Sequence, residues 1–218
     1  MDIKVDVHTV LVFDLDDTLY NELDFLKSAY RELAQLLEPN NWQRLFVGMF
    51  SQYRSKMDVF AVLAQTYGRS KEELVQHYRA HQPEIVPFPG VMETLVRIKE
   101  RNGKIGILTD GRSVTQRNKL NALGLMDFLD HIVISEELGT EKPHENNYMA
   151  FEKLFGKGHY VYIADNCRKD FITPNRRGWQ TIALADNGKN IHHDTHLYQH
   201  GDFAPQGYIT EFSELRIC

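Results

Sequence analysis

Five short apolar runs, separated by stretches of helical periodicity, leave this chain few ways to fold. The runs extend from Val10 to Phe13, Ile105 to Leu108, Ile132 to Ile134, Tyr160 to Ile163 and Thr181 to Leu184. Each is too short for a helix and rich in β-branched or aromatic residues, which suits a strand buried on both faces. Between them, the stretches from Val91 to Arg101, Val114 to Leu123 and His144 to Phe155 carry apolar residues at helical spacing. Strands that alternate with helices imply right-handed crossovers and a parallel sheet. The expected fold class is therefore α/β, with a Rossmann-like core of three layers. In such sheets ligands sit beyond the carboxyl ends of the strands.

One stretch breaks this rhythm. Leu23, Leu26, Tyr30, Leu33, Ala34 and Leu37 recur at helical spacing, and so do Trp42, Leu45, Phe46, Met49, Phe50 and Tyr53. Asp58 is placed to cap a third helix that Gly68 stops. Ser70-Lys71-Glu72-Glu73 has the spacing of a capping box and opens a fourth. Pro87, Pro89 and Gly90 then punctuate the return to alternation. The chain thus divides into a core of residues 1–20 and 83–218 and an inserted α-helical unit, 21–82. Trp42, Phe46, Phe50 and Tyr53 fit one helical face and are expected to pack in that unit's own core.

Composition excludes several classes. With 218 residues, 42% hydrophobic and 25% charged, the chain is of ordinary globular make-up. A net charge of -5 offers no electrostatic reason to bind nucleic acid. No stretch approaches the ~18 apolar residues of a membrane span. Asp2, Lys4, Asp6 and His8 interrupt the N-terminus where a signal peptide would be apolar. Two cysteines, Cys167 and Cys218, suit a reducing compartment. The expectation is a cytoplasmic protein, a monomer or weak homodimer, with no membrane partner.

The chemistry lies at the strand ends. Asp14, Asp16, Thr109, Asp110 and Asp165 all fall there, so residues distant in sequence should meet at one edge of the sheet. Carboxylates gathered in one place need a cation to offset their repulsion. Oxygen-only ligands favour a hard ion, and Mg²⁺ suits phosphate chemistry. Asp14 and Asp16, two positions apart, would share a strand face, with Asp17 on the other. One carboxylate can attack phosphorus. The other can protonate the leaving oxygen and then activate water, help that is typically worth about 10²–10⁴-fold. That role predicts a raised pKa for Asp16 as substrate binds.

Four motifs carry a family resemblance. Phe13-Asp14-Leu15-Asp16-Asp17-Thr18-Leu19-Tyr20 resembles the first motif of the haloacid dehalogenase superfamily, and Ile107-Leu108-Thr109-Asp110-Gly111 its second. Glu141-Lys142-Pro143 resembles the third. Tyr162-Ile163-Ala164-Asp165-Asn166, with Asp170 five residues after Asp165, resembles the fourth. Ala164 stands where glycine is common, and Asp110 where asparagine is common. The resemblance implies a magnesium-dependent phosphatase acting on a small phosphorylated metabolite, such as a sugar phosphate or nucleotide. Asp14 would be nucleophile and metal ligand. Asp16 would be acid/base and bind metal through its carbonyl. Thr109 and the backbone after it would hold phosphoryl oxygens, Lys142 would neutralise charge, and Asp165 would bind metal. Asp170 and Asn166 would support the site, and Tyr20, Asp110, Gly111 and Arg112 would meet substrate. The insertion resembles the mobile helical cap of one subgroup. Gln116, Lys119-Leu120 and the run from Lys169 to Phe171 resemble members associated with surface-polysaccharide and sugar-phosphate metabolism.

Other readings compete. Dehalogenation would not need Asp16 as a leaving-group acid. Phosphonate cleavage would need a buried lysine in the insertion, where Lys27, Lys56 and Lys71 are candidates. A phosphomutase would use the same machinery, and a catalytically silent module would bind a phosphorylated ligand or a partner protein. His192, His193, His196 and His200 have spacings that suit zinc on a helix, but the stretch from Asp186 to Gly207 reads as a loop. Cys167, beside the acidic motif, would keep its proton. Arg54 and Lys56 are expected to be solvated surface.

Overall fold

The computed structural model describes residues 1–218. Its centre is a six-stranded, wholly parallel sheet in the order β4-β3-β2-β5-β6-β7. The strands are β2 (Thr9–Phe13), β3 (Lys104–Thr109), β4 (His131–Ile134), β5 (His159–Ala164), β6 (Gln180–Leu184) and β7 (Gly207–Ile209). Two further short strands, β1 (Asp2–Ile3) and β8 (Arg216–Ile217), pair in parallel and tie the chain ends together. No helix is long and apolar enough to cross a membrane.

Side chains alternate along each strand, so both faces of the sheet are apolar. Leu11, Phe13, Ile105, Ile107, Val161 and Ile163 enter one core. There they meet Val91, Leu95 and Ile98 of α5 (Val91–Glu100) and Leu120 of α6 (Ser113–Ala122). Val10, Val12, Leu108, Tyr160 and Tyr162 enter the other, against Tyr148 and Phe151 of α8 (Glu145–Phe155). Two short helices, α7 (Ser135–Leu138) and α9 (Ile172–Arg176), follow β4 and β5. The result is the three-layer α/β core that the alternation predicts. Gly106 has a packing reason: a Cβ there would lie 2.4 Å from the Phe151 ring, so α8 approaches β3 only because that side chain is missing.

The five predicted strands all form. The sequence reading misses β7, β1 and β8, which are too short to show a period.

Strand order sets the position of the site. The chain runs from β2 outward through β3 to β4, then returns to place β5 on the other side of β2. That reversal leaves a crevice at the carboxyl ends of the central strands, where the loops diverge.

Four helices lie between β2 and β3: α1 (Glu22–Leu37), α2 (Trp42–Arg54), α3 (Val59–Tyr67) and α4 (Lys71–Ala80). They bury their own cluster, which includes Leu26, Tyr30, Leu33, Met49, Leu63 and Leu74. Trp42, Phe46, Phe50 and Tyr53 border that cluster half-buried instead of filling it. Asp58 caps α3 by accepting from the Ala61 amide at 3.0 Å, and Gly68 ends it at φ 63. Ser70 accepts from the Glu73 amide at 3.0 Å, but Glu73 pairs with Arg69 at 3.0 Å. The capping box is therefore half made.

Helix α6 ties these helices to the core. Thr115 Oγ1 donates to the Arg79 carbonyl at 2.9 Å, and Asn118 Nδ2 donates to the carbonyls of Ala80 and His81 at 3.0 and 3.1 Å. Those carbonyls, at and just beyond the end of α4, have no partner within the helix, so α6 satisfies them.

Candidate functional site

Three adjacent strands deliver the site. Asp14 follows β2, Thr109 ends β3 and Asp165 follows β5. All three line one pocket of about 200 Å³ with Asp16, Asp17, Glu22, Asp110, Lys142, Asn166, Lys169 and His192. Six of these carry carboxyl groups and two are lysines, and no apolar side chain lines the pocket. Such an excess of acid in a buried space needs protons or a cation to persist.

Asp14 is buried, with Oδ1 2.7 Å from Lys142 Nζ. Lys142 Nζ also lies 2.8 Å from Asp170 Oδ1 and donates to the Tyr162 hydroxyl at 3.3 Å. Asp170 is fully buried. Tyr162 donates to its Oδ1 at 3.1 Å, and the Asn166 amide donates to its Oδ2 at 3.2 Å. A lysine held by two buried carboxylates stays charged: burial opposes this, but Asp14 and Asp170 outweigh it and raise the Lys142 pKa far above its ordinary value. Burial pushes the Asp14 carboxyl up to about 7, against the pull of Lys142 and with the repulsion of Asp170. Asp165 is raised well above the carboxylate range, by burial first and then by Asp14 and Asp170.

Oxygens of Asp14, Asp165 and Asp170 lie within 4.8 Å of one another, the one cluster of acids, histidines or cysteines with metal-ligand geometry. The donor set is all oxygen, and Lys142 is the one lysine paired with these three carboxylates, an excess of negative charge that fits a hard divalent ion. Asp170 is already committed to Lys142, Tyr162 and Asn166. That leaves Asp14 and Asp165 as the side chains able to hold an ion. Asp165 is steadied by Thr18 Oγ1 at 3.4 Å and Asn190 Nδ2 at 3.0 Å.

Asp16 faces a different environment. Its Oδ1 is 2.7 Å from Lys119 Nζ and also accepts from the Tyr20 hydroxyl, and its Oδ2 accepts from Gln116 Nε2 at 2.8 Å. Burial favours the protonated form, yet Lys119 and these three hydrogen bonds reverse it and hold the carboxyl below its usual value. Helix α6 thus supplies a counter-charge that the expected rise on substrate binding has to overcome. Gln116 Nε2 also donates to Thr109 Oγ1 at 2.6 Å, which links the second motif to the acid.

The remaining expected residues divide. Asp110 lines the pocket, but its carboxylate accepts from the Lys142 amide at 3.1 Å and pairs with Lys169 Nζ at 2.6 Å, so it positions two lysines. The Gly111 amide donates to Ser135 Oγ at 2.8 Å. Tyr20, expected at the substrate, is fully buried beneath Asp16. Arg112, likewise expected there, points to the surface and pairs with Glu136 at 2.7 Å. Neither Tyr20, Gly111 nor Arg112 lines the pocket.

The sequence reading misses four pocket residues: Asp17, Glu22, Lys169 and His192. Asp17 takes a left-handed φ of 55, which overturns the strand alternation that sent it away. Its Oδ1 accepts from the Glu22 amide at 2.8 Å and its Oδ2 from the Ile191 amide at 2.7 Å. It therefore fastens the start of α1 and the loop after β6 to the first motif. Burial and Asp16 push the Glu22 carboxyl up to about 8. Only its place after the first motif hinted at a role. His192 enters the pocket from the histidine-rich loop, whereas His193 faces elsewhere, so the zinc spacing does not become a cluster. Cys167 is buried, and burial with Asp170 and Asp165 pushes its thiol up to about 12. None of Lys27, Lys56 and Lys71 lines the pocket.

Comparison with known proteins identifies the family. The family model described as haloacid dehalogenase-like hydrolase matches residues 11–184. The glyceraldehyde 3-phosphate phosphatase of Methanocaldococcus jannaschii is 27% identical, over 80% of this chain and 83% of its own. The pyrophosphatase PpaX of Bacillus pumilus is 26% identical, over 82% and 83%. Among solved structures, the magnesium-bound HAD-hydrolase YfnB of Bacillus subtilis superposes with a TM-score of 0.66 at 19% identity, covering 95% of this chain and 96% of that one. The chain spanning these matched motifs, strands and helices belongs to the haloacid dehalogenase-like hydrolase family.

Proposed function

We propose that this protein is a magnesium-dependent phosphatase that hydrolyses a small phosphorylated metabolite through an aspartyl-phosphate on Asp14. The observation that carries the reading is Lys142 Nζ at 2.7 Å from Asp14 Oδ1, in a pocket that also holds Thr109, Asp16 and Asp165. Lys142 offsets negative charge where nucleophile and phosphoryl group meet, and being buried between two acids it does so without reorganising. Asp14 attacks phosphorus in line, and the bond to the leaving oxygen breaks. Asp16 takes up a proton as the arriving phosphate adds negative charge beside it, gives that proton to the leaving oxygen, and then removes one from the water that cleaves the aspartyl-phosphate. Thr109 and Lys142 hold the phosphoryl oxygens. Asp14, Asp165 and the carbonyl of Asp16 would hold Mg²⁺, which when bound offsets the repulsion between carboxylate and phosphate. The relatives named as phosphatases support the reaction class. Residues 21–82 serve as a helical cap that excludes water from this centre.

Phosphate release from a panel of sugar phosphates, nucleotides and glyceraldehyde 3-phosphate tests the reading. Turnover is expected with magnesium, and none with EDTA or in Asp14→Asn. No release from any member would sink it. Transfer of the phosphoryl group to give an isomeric phosphosugar would replace it with the mutase.

A further inference from the structure

The pocket of about 200 Å³ holds a phosphoryl group and little more, since sites for whole small molecules run to about 300–1,000 Å³. The rest of a substrate must occupy an adjoining space. One cleft of about 630 Å³ lies between the inserted helices and the loop after β6. The two are walled by neighbouring residues of the same segments. Glu22 lines the pocket and Leu23 the cleft, while His192 lines the pocket and His193 the cleft. Asn190 and Ile191 line the cleft while bonding to Asp165 and Asp17 at the pocket.

The cleft is cationic. Arg54, Lys56 and Lys189 border it with no acidic partner. Its single acid, Asp186, has Oδ1 occupied by the amides of Gly188 at 2.7 Å and Asn190 at 3.1 Å. Three unpaired cations on one side of the shared wall and six carboxyl groups on the other separate charge: metal and phosphoryl chemistry in the pocket, an anion-binding wall in the cleft.

We propose that this cleft is a second subsite, which takes a further anionic group of the substrate, a carboxylate or a second phosphate. The inference rests on the phosphatase reading and narrows its substrate class.

Glyceraldehyde 3-phosphate and 3-phosphoglycerate differ at the distal carbon by aldehyde against carboxylate, and fructose 1,6-bisphosphate carries the second phosphate. The expected kcat/KM favours one of the doubly anionic compounds over glyceraldehyde 3-phosphate by about tenfold or more, the ratio one charge-assisted hydrogen bond supplies. Which of the two is preferred identifies the anion. In the triple variant Arg54→Ala, Lys56→Ala, Lys189→Ala the preference collapses through KM, with kcat on the same substrate kept. Preference for the aldehyde, or a preference that survives the triple variant, overturns the subsite. Calorimetric binding of the same three compounds to Asp14→Asn makes the comparison without turnover. Absence of turnover with selective binding would refute the phosphatase and keep the subsite. Turnover with unselective binding would do the reverse.

Discussion

Replacing Lys119 by methionine tests whether α6 holds the acid/base in place. Lys119 is 3% exposed, with Nζ 2.7 Å from Asp16 Oδ1 and 4.6 Å from the centre of the Phe25 ring. Methionine keeps most of the volume and removes the charge. At the observed 2.7 Å, two unit charges attract by about 6 kcal/mol at an effective dielectric of about 20. Desolvation of both groups offsets much of that, and stranding one member of a buried pair costs about 3–5 kcal/mol. Tyr20 and Gln116 still donate to Asp16, so the loss is expected at the lower end, about 3 kcal/mol. For a chain of this size that lowers Tm by about 6–12 °C. Asp16→Asn in the same background removes the stranded charge, and the double variant recovers most of the loss. The assay is urea denaturation of the four proteins in EDTA. If the two substitutions add to within about 0.5 kcal/mol, Lys119 is not the counter-charge and the reasoning fails. Lys119→Met also removes the charge that keeps Asp16 ionised, so hydrolysis of alkyl phosphates, whose poor leaving oxygen depends on the proton from Asp16, should persist to higher pH than in the wild type.

Asp17→Ala strands the amides of Glu22 and Ile191, each at a cost of about 1–3 kcal/mol when it stays buried. Limited proteolysis should then cut the loop around Ile191 faster, and an unchanged cutting rate would contradict the tether. Gly106→Ala drives a Cβ against the Phe151 ring and should cost about 1–3 kcal/mol in a urea melt, with Phe151→Leu restoring part of it; no loss would mean that α8 shifts freely. Asp130 is pushed up by burial, but bonds from Lys99 at 2.6 Å and the Ile105 amide at 2.8 Å outweigh this and hold its pKa below the ordinary 3.8. A folded value below the unfolded one stabilises fully above the unfolded value and fades as pH falls through the folded one. Urea melts stepped down from about pH 5 should therefore show the wild type losing stability faster than Asp130→Asn, and equal slopes would refute the assignment.

What the sequence discloses is what periodicity and punctuation encode. The five longest strands are long enough to show their apolar runs, and the helices of the insertion announce themselves by Asp58, Gly68 and Ser70. Strand ends then place Asp14, Thr109 and Asp165 together without further information. The failures have one cause: side-chain direction in loops follows local φ and long-range partners, neither of which a period reports. Asp17 turns into the pocket because its φ is 55. Tyr20 turns beneath Asp16, and Arg112 turns outward to Glu136. Glu22 and His192 enter from segments whose approach depends on how α1 and the loop after β6 are tied down.

The polar face of α6 bears on how such enzymes diversify. Thr115 and Asn118 grip the end of α4, while Gln116 and Lys119, on the same two turns, grip Asp16. The insertion is therefore not an interchangeable attachment. A chimera that receives residues 21–82 from a distant relative brings a foreign α4 terminus to Thr115 and Asn118. A misfit there rotates the helix that orients the proton donor. Grafts that carry α6 along with the insertion should keep their activity more often than grafts cut at the apparent boundary, so recombination has reason to respect a seam that lies inside the core.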